Sequence, residues 1–187
     1  WLDVVDDWRW IEDGKALLWT SESAGWRHAY RIEVKNGKSS LITKGDYDVI
    51  SIKGIDPEEE YLYFTASPEN ATQRYLYRTL LDGKKKAELL SPENMPGTHN
   101  YNMSPNTHFA YHTFSNANTP PFTSMISLPD HKALRLIADN QKFKEAITKI
   151  KQQPREFFKV KTSEGVEMDG WMMKPPDFNP KRTYPVL

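Results

Sequence analysis

The stretch "DGKALLWTSESAGWRHAYRIEVKNGKSSLIT", residues 13–43, returns in altered form twice further along the chain. Residues 56–91 read "DPEEEYLYFTASPENATQRYLYRTLLDGKKKAELLS", and residues 104–139 read "SPNTHFAYHTFSNANTPPFTSMISLPDHKALRLIAD". Each unit opens on a turn pair: Asp13-Gly14, Asp56-Pro57 and Ser104-Pro105. An alternating, aromatic-rich strand follows and ends in a hydroxyl residue, Thr20, Thr65 or Thr113. A polar loop leads to a second strand carrying Tyr30, Tyr77 or Met125. A tight turn (Asn36-Gly37, Asp82-Gly83, Asp130-His131) then leads to a short third strand marked by Ile42, Leu90 and Ile137. The Asn-Gly and Asp-Gly pairs fit two-residue type I′ hairpins, where both central residues take positive φ.

A fourth strand fits between units, "YDVISI" at 47–52 and "THNYNM" at 98–103. Four short strands per 40–50 residues is the pattern of a β-propeller blade. A plain meander or sandwich also repeats its turns, but the in-step recurrence of turn, Thr and third-strand apolar residue favours blades. The expected fold is mainly β, with three consecutive four-stranded antiparallel blades. Three blades do not close a ring, because propellers take about four to eight.

After residue 139 the pattern changes. "DNQKFKEAITKIKQQP" places Phe143, Ile147 and Ile150 at helical spacing, with Asp139 or Asn140 as N-cap and Pro154 as terminator. "REFFKVKTSEGVEMDGWMMKPP" then reads as a hairpin, 156–162 with 166–174, turning at Ser163-Glu164-Gly165, with one face covered. The chain closes on "KPPDFNPKRTYPVL", where residues 184–187 read as the opening of an apolar strand. With Trp1-Leu2-Asp3-Val4-Val5 as the start, both ends read as interruptions of a larger fold. Strand edges and blade faces left open there are expected to pair with other chains, through 156–187 or the Trp1, Trp8 and Trp10 segment, which makes the chain a candidate homo-oligomer.

Composition narrows the function. Hydrophobic residues at 38% and aromatic residues at 12% are enough for a core. Lys+Arg and Asp+Glu balance at 25 each, against the basic excess of a nucleic-acid binder. With no Cys, disulfides, thiolate metal sites and a cysteine nucleophile are excluded. Asn70-Ala71-Thr72 and Asn102-Met103-Ser104 fit a glycosylation triplet that is common by chance.

The segments "DGKALLWTSESAGWRHAYRI", "LITKGDYDVISI", "LIADN" and "PREFFKVKTSEGVEMDGWMMKPPDFNPKRTYPVL" resemble the dipeptidyl peptidase IV family of prolyl oligopeptidase-type serine peptidases, in order and over essentially the whole chain. The resemblance implies an eight-bladed propeller that restricts access to an α/β-hydrolase domain. On that basis residues 1–139 would be the last part of the propeller, 140–154 the crossover, and 155–187 the first hydrolase strands. It implies a parent that removes X-Pro or X-Ala dipeptides from proline-containing peptides, uses no cofactor, and sits in a bacterial periplasm or envelope. A prolyl tripeptidyl peptidase of the same layout, or a propeller kept only for protein contacts, are the alternatives.

The family's chemistry needs Gly-x-Ser-x-Gly followed by Asp and His. No two glycines here lie four apart, so this polypeptide is expected to be inactive alone. The resemblance places the oxyanion Tyr after residue 187 and the paired glutamates that hold the substrate amino terminus before residue 1. No catalytic, substrate-binding or metal residue is therefore assigned. Glu58-Glu59-Glu60 reads as a solvated turn. Of the histidines 28, 99, 108, 112 and 131, only His108 and His112 are four apart, and alternation puts them on a strand rather than on a metal-binding helix. His28 reads as a structural hydrogen bonder, and Ser21 and Ser23 have no nearby His and Asp.

Overall fold

Strict alternation along Ala16–Ser21 buries Ala16, Leu18 and Thr20 while Trp19 stays exposed, as a strand with one covered face requires. The computed structural model, which describes residues 6–186 apart from 59 and 152, repeats this scheme three times. The first sheet runs β1 (Arg9–Ile11), β2 (Ala16–Ser21), β3 (His28–Glu33) and β4 (Ser39–Leu41). The second runs β5 (Val49–Ile55), β6 (Tyr61–Ala66), β7 (Tyr75–Leu80) and β8 (Glu88–Leu89). The third runs β9 (Thr98–Met103), β10 (Phe109–Asn116), β11 (Thr119–Ser127) and β12 (Ala133–Ala138). Every sheet is an antiparallel meander in chain order, and no strand of one repeat joins the sheet of another. The three blades are therefore as expected, and the 47–52 and 98–103 segments supply the first strand of the second and third.

Blades bury their faces against each other. Ile11, Ala16, Leu18, Ala29 and Ile42 of the first pack on Val49, Leu62, Phe64 and Ala66 of the second. The opposite face of the second blade, through Tyr63, Leu76 and Leu90, meets Tyr101, Ala110 and Ile126 of the third. Each large apolar side chain so buried contributes about 1.5–3 kcal/mol. Thr20, Thr65 and Thr113 fall on the equivalent face of their strands, the one turned toward the following blade. Their hydroxyls are all engaged, with Asp7 (2.8 Å), Ser51 (3.1 Å) and Thr123 (2.9 Å).

A backbone stitch joins neighbouring blades. The Val49 N–H donates to the Arg27 carbonyl at 2.7 Å, and the His99 N–H donates to the Arg74 carbonyl at 2.9 Å. Arg27 and Arg74 each stand just before the third strand of their blade. The equivalent carbonyl of the third blade, Pro121, accepts from Asn140 Nδ2 at 2.6 Å.

Five local expectations change, the last in the hairpin described below. The Asn36-Gly37 and Asp82-Gly83 turns are not type I′, because only their glycines take positive φ, +70° at Gly37 and +65° at Gly83, whereas Asp13 and Gly14 are both positive, at 52° and 79°, as expected. The side chains of Asn36 and Asp82 instead accept from the N–H two residues on, at 2.8 and 2.9 Å, and the glycine closes a longer loop. Ile42 and Leu90 are buried one residue past their strands, whereas Ile137 lies within β12 and is exposed. The helix, α1 (Gln141–Thr148), stops before Ile150, and its left-handed Asn140 makes no side-chain cap; Asp139 accepts from Gln141 N at 3.0 Å instead. Residues 184–186 form no strand, since Pro185 lacks a donor and no described strand lies alongside; Leu187 is outside the described residues.

The hairpin pairs β13 (Glu156–Lys161) with β14 (Glu167–Met172). The one covered face expected of it is not found: residues of both faces are exposed, apart from Gly170, over which the Phe158 ring folds. Trp8 and Trp10, beside and on β1, are exposed, as are Phe109 and Tyr111 on β10; Trp1 lies outside the described residues.

Gly83 carries two constraints at once. Its φ is positive, and a Cβ there would come to 2.4 Å from the Leu41 carbonyl of the first blade. Gly83→Ala should therefore cost about 2–4 kcal/mol in urea unfolding, from left-handed strain plus overpacking. Gly37→Ala, with open space around it, should lose only about 1–2 kcal/mol. Equal losses would show that the close approach between blades carries no energy.

Candidate functional site

The loops that join the second and third strands of each blade line up along one rim, and the hairpin stands across from them. Between the two runs a groove. Its larger part, about 940 Å³, is walled by Trp26, Tyr47 and Asp48 on the blade side and by Phe157, Phe158 and Lys159 on the hairpin side. A second part, about 650 Å³, continues past Gln73 and Gly97 to Asn116, Arg155 and Trp171. Arg155 ties the hairpin to the third blade, donating to the Ala117 carbonyl at 3.3 Å, with its guanidinium 5.5 Å from the Trp171 ring. The groove thus combines aromatic surface with the carboxylates Asp46, Asp48, Glu69 and Asp169. Burial raises the pKa of Tyr47, whose ring stacks parallel to Phe64 beneath the groove.

The residues weighed from sequence fall elsewhere. Glu58 and Glu60 are exposed in the turn between β5 and β6; Glu59 lies outside the described residues. Asp56 holds that turn by accepting from the N–H groups of Glu60 and Tyr61, both at 2.8 Å. Ser23 Oγ donates to Tyr30 Oη at 3.2 Å. His28 is buried between Thr43 Oγ1 (3.0 Å) and the Gly45 carbonyl (3.1 Å), a structural bridge.

Three of the remaining histidines meet. His99 on β9, His112 on β10 and His131 in the β11–β12 turn bring one ring nitrogen each to within 4.8 Å of the others. Helical spacing is no guide to this group. It forms because Tyr101 pairs with His112 and His99 pairs with Phe114 across β9 and β10, and pairing register does not show in spacing along the chain. His131 joins from a left-handed backbone position, φ 51°, that turns its ring back over the sheet.

The hydrogen bonds among them can be ordered. The Met95 carbonyl only accepts, so the His99 Nε2 at 2.8 Å carries the proton and Nδ1 presents a lone pair. His112 Nε2, 2.9 Å from that lone pair, donates to it. Tyr101 Oη lies 2.8 Å from Ser91 Oγ and 2.8 Å from His131 Nε2. Ser91 Oγ in turn accepts from the Leu76 N–H at 2.8 Å. Burial drives the pKa of His112 down to about 3, with the neighbouring His131 and His99 adding to the effect, and holds His99 and His131 below their ordinary value. Burial also raises the Tyr101 phenol. All three imidazoles are neutral near pH 7.

Tyr101→Phe keeps the ring and deletes the oxygen that joins Ser91 to His131. The buried groups left behind should cost about 1–3 kcal/mol in urea unfolding. An unchanged midpoint would mean that the network contributes nothing.

Comparison with known proteins places this geometry. A family model described as the dipeptidyl peptidase IV (DPP IV) N-terminal region matches residues 1–121. Dipeptidyl peptidase 4 of Trichophyton rubrum is 29% identical over 169 residues, covering 89% of this chain and 21% of that protein. Its counterpart in Trichophyton equinum is 28% identical over 192 residues, covering 100% of this chain and 24% of that protein. The crystal structure of Porphyromonas gingivalis dipeptidyl peptidase 4 superposes with a TM-score of 0.84 at 28% identity, over 96% of this chain and 25% of its own. A putative dipeptidyl aminopeptidase IV from Bacteroides ovatus, 18% identical with a TM-score of 0.74 over 92% of this chain, shares the fold. The chain spans about a quarter of the length of these relatives. Matched by the family model over well more than half of its residues, and with three successive blades, the chain belongs to the dipeptidyl peptidase IV N-terminal region family.

Proposed function

We propose that this chain supplies blades and one wall of the substrate passage to a serine exopeptidase that removes X-Pro or X-Ala dipeptides from peptide amino termini. The observation that carries the reading is the groove between the blade rim and the hairpin, in a chain of this family. In this proposal β13 and β14 begin the α/β-hydrolase domain, and α1 is the crossover into it. The groove gives a peptide apolar surface at Trp26, Phe157 and Phe158, where a proline ring packs well. Asp46, Asp48 and Asp169 put negative charge near the same space, which suits a peptide entering by its protonated amino terminus. The chain contributes shape and field, and the nucleophile, acid and histidine come from the rest of the parent. It needs no cofactor for that role.

The test is an assay of the full gene product with Gly-Pro and Ala-Ala-Pro chromogenic substrates. Dipeptide release inhibited by a serine-directed phosphonate is expected. Release of tripeptides alone would move the protein to the tripeptidyl variant, and no hydrolysis at all would leave a binding module. The 187-residue chain by itself should run at the buffer rate, because triad chemistry needs all its members placed together. Phosphonate-sensitive turnover by this chain would contradict that.

A further inference from the structure

The His99, His112 and His131 group stands apart from the groove and has no part in the peptidase reading. It lies inside the third blade, with His99 and His112 essentially sealed from solvent at 0% and 2% exposure. Aromatic rings close it in: Tyr75 is 5.4 Å and Phe114 4.8 Å from the His99 ring, centroid to centroid. A buried polar cluster of this kind is costly unless its atoms find partners. Here several partners are one another, and one nitrogen from each ring lies within 4.8 Å of the other two.

We propose that His99, His112 and His131, with Tyr101 Oη as the fourth donor, form a binding site for one divalent transition-metal ion of the zinc type. Three features carry the proposal. The first is convergence. The ring nitrogens already lie within 4.8 Å of one another, and Tyr101 Oη is 2.8 Å from His131 Nε2 and 3.4 Å from His99 Nδ1. Metal–nitrogen bonds of ~2.0–2.1 Å in a tetrahedral site set neighbouring nitrogens about 3.3 Å apart. The His99–His112 pair, at 2.9 Å, needs to open by only a few tenths of an ångström.

The second feature is orientation. A ligating histidine commonly gives its other N–H to a backbone carbonyl, which fixes the tautomer and the ring. His99 does this through Nε2 to the Met95 carbonyl at 2.8 Å. Binding requires two proton shifts: the His112 proton moves from Nε2 to Nδ1, so that its lone pair replaces the hydrogen bond to His99, and the proton shared by Tyr101 Oη and His131 Nε2 leaves that contact, toward Ser91 Oγ if the phenol carries it or to His131 Nδ1 if the imidazole does.

The third feature is the backbone of His131. A non-glycine residue in the left-handed region costs about 1–2 kcal/mol, and such positions gather at ligand clamps and active sites. At φ 51° this residue brings the third nitrogen over the other two. Neutral imidazoles favour zinc, cobalt, nickel or copper over magnesium or calcium, which prefer oxygen ligands. With four protein donors and no open position, the ion would be structural. It would lock the β11–β12 turn onto β9 and β10, on the face that packs against the second blade.

The test begins with full-length protein stripped by chelator and titrated separately with Zn²⁺ and Co²⁺. The proposal expects saturation at one ion per chain at this site, a tetrahedral Co²⁺ visible spectrum, and a metal-dependent rise in melting temperature. His112→Ala should abolish the spectrum. His131→Ala, in a half-buried turn outside the strands, keeps the sheet intact and should weaken binding by at least about tenfold. His108→Ala, an exposed histidine on the same blade, should leave binding unchanged. The proposal is overturned by the absence of saturable binding, by binding indifferent to His131→Ala, or by equal losses in His108→Ala and His131→Ala. Any of these would leave the cluster as a hydrogen-bonded network and nothing more.

Discussion

Face-to-face burial of one four-stranded sheet on the next is the constraint on which everything else here rests. A blade alone offers two apolar faces to water, and Phe64 shows the solution. Its ring is fully buried against the first blade, while Tyr63 and Thr65, its neighbours on β6, turn toward the third. A strand that is buried on both sides has no polar face, which is why β6 reads as five consecutive buried residues after Tyr61. The stitches from Val49 to Arg27 and from His99 to Arg74 close backbone groups that sheet pairing leaves open at the blade junctions. The groove depends on the same stacking, because its floor is made of loop ends that only stacked blades bring into line.

The blade junctions also decide where polar groups can be hidden. Thr43 and Ser91 each follow the last strand of their blade and accept from a β3 or β7 amide, Ala29 N at 3.0 Å and Leu76 N at 2.8 Å. In the first blade that hydroxyl partners His28, and in the second it partners Tyr101 of the next blade. The histidine cluster is thus an elaboration of a device that the repeat already contains. Stability and any ion binding would be coupled there, since the same side chains serve both.

Period-two alternation, recurring turn residues and the placement of Thr20, Thr65 and Thr113 all report local backbone geometry, so blades and strand order were legible from residues alone. The turn type was legible at Asp13-Gly14 and not at the other two pairs. Asn-Gly fits several hairpin loops, and the choice falls to side-chain bonds such as Asn36 Oδ1 to Lys38 N, which sequence does not rank. The hairpin ends and the short helix came within a few residues, while the strand expected at 184–186 needs a partner that the described residues do not provide. The histidine group was out of reach for a different reason. His99 and His112 are neighbours through cross-strand register, and His131 through a left-handed turn, and neither shows in spacing. The family resemblance was readable because it rests on whole segments, whereas the groove exists only once loops from separate blades and the hairpin are set side by side.

The stacked-blade account is tested most directly by amide hydrogen exchange at Val49 and His99. Both are the donors of the inter-blade stitches, and both lie in blades whose apolar faces are sealed together. The account predicts that their protection approaches that of Leu18 and Phe64 in the strand interiors, so that they exchange only on global opening. Exchange at these two amides near the unprotected rate, with Leu18 and Phe64 still slow, would mean that each sheet folds by itself and the blades do not hold one another.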